Sequence, residues 1–212
     1  MSFTICSWCS RNYYPALDFC LPSWYQNSGA SRITLHLYDS CEGKDANDTW
    51  FLNAVHRCKL MRDAVREAAG TKLLLLDADC IVMKELSAGF SETKPIGVAR
   101  WPRINMGVLF LNMTLDWPFV EFFDKFVERL MAECDRLKKR GGKWSDPPDQ
   151  AVLHEMLHER EGDIEKLDAA AWNYCTAIPV AKERIAKHGR DMKILHLRIR
   201  STDMKAFRGL SL

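Results

Sequence analysis

Lys72-Leu73-Leu74-Leu75-Leu76-Asp77-Ala78-Asp79 is the stretch that decides how this chain is read. A continuous apolar run ended by a carboxylate is the pattern of a strand buried on both faces, as in sheets covered by helices on either side. Residues two apart on extended backbone point the same way, so Asp77 and Asp79 can converge on one hard cation where the strand ends. Oxygen ligands suit magnesium or manganese, which complete their shells with water and the oxygens of a substrate diphosphate. A solvated Asp-x-Asp turn is the bland alternative. The four leucines favour the metal site, because such a strand puts the pair at the edge where parallel sheets bind ligands.

Working outward, residues 3–7 read as a strand and 14–26 as a helix broken by Asn27-Ser28-Gly29. A strand at 33–38, a polar loop at 39–48 and a helix at 51–69, closed by Gly70, lead into the leucine run. Beyond it, strands are expected at 96–99 and 106–111, a helix at 117–139, a Gly141-Gly142 break and a helix near 147–159. A segment at 170–175, a basic helix at 181–188 and a strand at 193–197 complete the pattern. Strands alternating with helices predict an α/β fold, a Rossmann-like single domain over 1–212 with a mostly parallel mixed central sheet flanked by helices.

Composition narrows the class. A chain of 212 residues with 47% apolar content can bury one sizeable core. Its 30 basic and 28 acidic side chains are interspersed, giving no electrostatic reason for a nucleic-acid or membrane-surface partner. No apolar segment approaches the roughly 20 residues a membrane helix requires, and the first residues carry no export pattern. Eight cysteines are too sparse for a disulfide scaffold, so reduced thiols in a cytoplasm are expected. Cys6 and Cys9 form a C-x-x-C, a redox dithiol or half a zinc site, but no second close pair completes a cage. The sequons at Asn47 and Asn112 read as chance. Phe207-Arg208-Gly209-Leu210 is unlike a finished terminus, which leaves room for a longer protein.

Two rival motifs need weighing. Asp77-Ala78-Asp79-Cys80-Ile81 resembles the opening motif of haloacid-dehalogenase-type phosphatases, in which the first Asp is a nucleophile. That family places the motif on its first strand and has Thr or Val where Ile81 stands; Gly162-Asp163 and Asp168 mimic its last acidic motif only loosely. His154-Glu155-Met156-Leu157-His158 fits the H-E-x-x-H pattern of zinc metallopeptidases. On a helix, however, Val152, Leu153, Met156 and Leu157 make the apolar stripe and turn both histidines toward the polar side. Glu183 is the best third ligand, and nothing in its spacing marks it.

With these residues in view, the chain resembles glycosyltransferases of the GT-A fold, in particular the retaining group that includes glycogenin. Asn12-Tyr13, Lys59-Leu60, Leu75-Leu76-Asp77-Ala78-Asp79, Asn105-Met106-Gly107-Val108, Asp149-Gln150 and Ile194-Leu195-His196-Leu197 carry the resemblance in order along the chain. Size and composition also look like the capsid-glycosylating enzymes of large algal (chlorella) viruses, which would place the enzyme in host cytoplasm.

The resemblance implies a hexosyltransferase that moves a sugar from a UDP-sugar donor to a glycan or glycoprotein acceptor, using manganese or magnesium. It implies a metal held by Asp77, Asp79 and His196, with Asp77 also reaching the donor ribose. Tyr13, or its neighbour Tyr14, would stack on the uracil, Asp39 would accept the uracil imide hydrogen, and Lys59 would meet the nucleotide. Asn105, Asp149 and Gln150 would hold the sugar, and Gly107 would let it approach the backbone. Anomeric retention is implied; inversion with Asp149 as general base is the alternative. One departure stands out: Leu197-Arg198-Ile199-Arg200 follows the late histidine where that group carries a glycine and then a lysine. Arg198, Arg200 or Lys205 would supply the diphosphate's cation.

Overall fold

The computed structural model describes residues 2–99, 104–140, 148–177 and 180–198, with backbone alone at Asn47 and Arg198. The first half runs β1 (Thr4–Ser10), α1 (Tyr14–Asn27), β2 (Arg32–Tyr38), α2 (Ala46–Glu67), β3 (Lys72–Leu76), β4 (Cys80–Val82), β5 (Ile96–Ala99) and β6 (Val108–Asn112). The second half runs α3 (Phe119–Arg140), α4 (Pro148–His158), β7 (Ile164–Leu167), α5 (Ala169–Trp172), β8 (Tyr174–Ala177), α6 (Ala181–His188) and β9 (Ile194–Arg198).

Six strands form the central sheet in the order β2-β1-β3-β6-β5-β7, and β4-β9-β8 form a smaller one. β1 is parallel to both β2 and β3, and β5 is parallel to β7. β6 alone runs against its neighbours β3 and β5, so the sheet is mixed, as expected.

The leucine run is the strand the sequence predicts, buried along its whole length. Its alternation divides the interior. Leu73 and Leu75 join Met61 and Val65 of α2, Phe122 and Phe126 of α3, and Leu153 and Met156 of α4. Leu74 and Leu76 join Leu17, Cys20 and Trp24 of α1 and Val82 and Leu195 of the small sheet. Each leucine so buried contributes on the order of 1.5–3 kcal/mol, so the strand that ends in Asp77 is the best-anchored element near the site.

Three expectations need correction. Helix α2 starts at Ala46, not residue 51, because Asp45 accepts a hydrogen bond from the Asp48 amide at 2.9 Å and so caps an otherwise orphaned donor. The 170–175 segment is not one element: α5 ends at Trp172 and β8 begins at Tyr174. Strands β4 and β7, of 3 and 4 residues, were not anticipated, being too short to establish a period. Gly70, at φ 77°, adopts the left-handed backbone that turns the chain from α2 into β3. Among the described residues, no helix is long and apolar enough to cross a membrane.

Candidate functional site

Beyond Leu76 the chain bends. The Asp77 amide donates to the Gly107 carbonyl at 2.9 Å, and the Cys80 amide donates back to the Asp77 carbonyl at 3.2 Å. This turn lifts β4 out of the central sheet and pairs it antiparallel with β9, Cys80 opposite His196. The Leu197 amide donates to the Asp79 carbonyl at 3.0 Å, which locks β9 beside the turn. His196 is thereby delivered to the acidic pair: its Nε2 lies 3.2 Å from Asp79 Oδ1 and 3.7 Å from Asp77 Oδ2.

The imidazole is oriented from behind, since its Nδ1 faces Asn173 Oδ1 at 3.1 Å. A donor at Nδ1 leaves Nε2 for the carboxylates, the arrangement by which a backing acceptor aligns a metal-binding histidine. Burial alone would lower the His196 pKa, but the Asp79 charge, hydrogen bonds to Asp79 and Cys175, and Asp77 push it well above the usual imidazole value. Burial also raises the Asp77 pKa, with Arg57 and His196 pulling the other way. A divalent cation would supply positive charge beside these carboxylates.

Gly107 makes the convergence possible. A Cβ there would sit 2.4 Å from His196 Cε1, 2.6 Å from Asp77 Oδ2 and 2.9 Å from Asn105 Oδ1. Asn105 Oδ1 accepts from the Gly107 amide at 2.8 Å, holding the turn that precedes β6. The imidazole thus reaches both carboxylates, beside a position kept free of side chain, and carboxylate oxygens and an imidazole are ligands that a divalent cation accepts.

Above this point opens a cleft of about 520 Å³ lined by Tyr13, Tyr38 and Trp50 among its aromatics, and by Arg57, Asp77, Asp79, Asp149 and Gln150. Arg57 was not singled out from the sequence, yet among the described residues it is the cation that lines this cleft. Its guanidinium pairs with Asp149 and lies 3.9 Å from Asp77 Oδ1. Burial would lower the Arg57 pKa, but Asp149 and Asp77 hold it above even the usual guanidinium range. Asp149, almost wholly buried, also accepts from the Gln150 amide at 2.9 Å, so it serves both as an N-terminal residue of α4 and as a wall of the cleft. Burial, reinforced by Asp79, raises the Tyr13 pKa and keeps its phenol neutral.

The structure therefore brings Tyr13, Asp77, Asp79, Gly107, Asp149, Gln150 and His196 to one region. Asn105 is beside them through Gly107. Lys59 and Asp39 are not on the cleft wall; Asp39 is exposed and paired with Arg11 at 3.0 Å. Tyr14 packs against the core on the α1 side of the sheet. Arg200 and Lys205 lie outside the described residues, as does the Arg198 side chain.

The rival motifs do not assemble. His154 and His158 stack edge to face, with ring centres 4.3 Å apart. Among the described residues, the only group of three or more potential ligands is Asp79, Cys80 and His196, so the peptidase pattern gains no third ligand. Asp163 accepts from Trp117 Nε1 at 2.9 Å and Asp168 caps α5 through the Ala170 amide at 3.0 Å, which accounts for the phosphatase-like acids. Cys6 and Cys9 face opposite sides of β1, in different cores, as residues three apart on a strand must.

This architecture, a mixed Rossmann-like sheet with a small sheet carrying a late histidine to an Asp-x-Asp turn, is the GT-A glycosyltransferase fold. A glycosyltransferase involved in the glycosylation of the major capsid of PBCV-1 superposes with TM-score 0.59 at 14% identity, covering 98% of this chain and 100% of that one. Glycosyltransferase GlyE of Streptococcus pneumoniae TIGR4 gives 0.56 at 14% identity, covering 98% of this chain, which spans 60% of GlyE. Galactosyltransferase LgtC, solved with donor and acceptor sugar analogs, gives 0.53 at 13% identity over 99% of this chain and 95% of its own. No protein-family model and no curated protein matches the sequence.

Proposed function

We propose that this chain is a metal-dependent glycosyltransferase that moves a hexose from a UDP-sugar to a hydroxyl of a glycan or glycoprotein. One observation carries the reading: the His196 imidazole reaches both Asp77 and Asp79, two carboxylates that line an aromatic-walled cleft, beside a glycine whose position tolerates no Cβ. The fold shared with three glycosyltransferases supports it. The PBCV-1 neighbour makes a viral capsid glycan one acceptor to try first.

Manganese or magnesium, held by Asp77, Asp79 and His196, would neutralise charge on the departing nucleoside diphosphate. The chain's own residues do the rest. Tyr13 offers an aromatic face for the base, with Tyr38 and Trp50 beside it. Asp149 and Gln150 hold sugar hydroxyls, so that the anomeric carbon faces the acceptor. Arg57, which spans Asp77 and Asp149, is placed to share the diphosphate's charge. Arg198, Arg200 and Lys205 are further candidates for the same task. The resemblance to the glycogenin-like group favours retention, and with retention Asp149 need not act as a base.

The test is calorimetric titration with UDP, with and without manganese, followed by UDP release from a panel of UDP-hexoses. Manganese-dependent UDP binding that disappears in Asp79→Ala is expected. Binding indifferent to both metal and substitution would end the proposal. NMR of the product's anomeric centre then decides retention against inversion.

A further inference from the structure

The small sheet sets three potential ligands in one row. Cys80 lies opposite His196 across the β4/β9 pair, and Cys175 lies beside His196 across the β8/β9 pair. In-register neighbours project from the same face of a sheet, so the imidazole has a thiol on each side. The Cys80 sulfur, an Asp79 carboxylate oxygen and a His196 ring nitrogen lie within 4.8 Å of one another.

Cys80 is held firmly where it stands. Its carbonyl accepts from Trp24 Nε1 at 2.6 Å, its amide donates to Asp77 at 3.2 Å, and its side chain is fully buried. The sulfur itself has only a weak partner, the Gly107 carbonyl at 3.8 Å. The transfer reading makes no use of this sulfur.

We propose that Asp79, Cys80 and His196 form a second, thiol-containing ligand set that captures zinc in place of the hard cation. Thiolate, imidazole and carboxylate are the ligands zinc takes, with water in the remaining position. The two sets share Asp79 and His196, so they exclude one another, and any site of nitrogen, oxygen and sulfur ligands favours zinc over manganese. The proton balance is simple: the Cys80 S–H bond breaks, a sulfur–zinc bond forms and the proton leaves to solvent. A hard cation has little affinity for sulfur and leaves the thiol in place. Manganese then sees only the carboxylates and the imidazole. Zinc held in this way occupies the ligands that the hard cation would need.

The experiment uses metal-stripped full-length chain, without any sugar nucleotide, titrated with cobalt(II) as a spectroscopic stand-in for zinc. One saturable equivalent with a near-ultraviolet thiolate-to-cobalt charge-transfer band, displaced by zinc, is expected. The band should vanish in Cys80→Ala and persist in Cys175→Ser. Cobalt bound with no such band, or a band that survives Cys80→Ala, overturns the proposal. Because Cys80→Ala opens a cavity in a packed core, zinc-edge X-ray absorption of the unaltered chain gives a second arm. A sulfur neighbour at about 2.3 Å supports the assignment, and a shell of nitrogen and oxygen alone sinks it. Neither readout involves sugar transfer, so each reading can fail while the other stands.

Discussion

The turn after β3 and the helix α4 both carry clusters of metal-binding residue types, and only the turn gathers them. On α4, His154 and His158 stack on each other along the outer side of a helix whose Leu153 and Leu157 are buried. At the turn, Asp77 and Asp79 meet a histidine more than a hundred positions further along the chain, brought there by strand pairing. The H-E-x-x-H pattern is complete within one stretch of sequence, yet its residues alone do not make a site. A ligand set is completed by an element arriving from elsewhere, and among the described residues α4 receives none.

The sharpest break of this comparison is a pair of substitutions. Asp79→Ala should abolish manganese-dependent UDP binding, while Glu155→Gln should leave it unchanged, both read by calorimetry. Loss in Glu155→Gln with Asp79→Ala tolerated would invert the assignment.

Next in size is Arg57→Ala. It leaves the buried Asp149 carboxylate without its guanidinium partner, and breaking a buried pair this way costs about 3–5 kcal/mol. Chemical denaturation should show that loss, and a change below 1 kcal/mol would mean that water replaces the guanidinium.

Asn173→Ala removes the acceptor behind His196 and should weaken manganese about 10- to 100-fold, the usual effect of deleting a group that orients a metal-binding histidine. The unfolding midpoint of the metal-free chain should move far less. The smallest of these effects concerns acidity. An imidazole must shed its proton to bind a metal, and the neighbouring carboxylates hold that proton above the ordinary value. Manganese affinity should therefore rise as pH rises through the elevated His196 pKa, and the slope should flatten in His196→Ala.

Much of this was legible because burial writes periodicity into sequence. The run Leu73 to Leu76 announced a strand covered on both faces, and Asp77 and Asp79 announced where it ended. The stripe on α4 correctly turned His154 and His158 away from the core. His196 entered the site only through the family resemblance, since nothing local distinguishes it from a core histidine on a strand. Arg57 stayed hidden for a similar reason: on α2 it looks like any other helix arginine, and its meaning comes from Asp149, contributed by a different helix. Lys59, which the resemblance favoured, is two residues further along α2, about 200° around the helix axis at the ~100° per residue of α-helical geometry. The short strands β4 and β7 left no period to detect, yet β4 is the strand that recruits His196.

That recruitment sets an order of events during synthesis. The ribosome delivers the two carboxylates long before it delivers β9, and the nascent chain in between carries them without the imidazole. Only when the small sheet snaps onto the Asp79 carbonyl does the pocket gain its nitrogen. Under the proposed function, an incomplete chain would lack the imidazole of the proposed ion site.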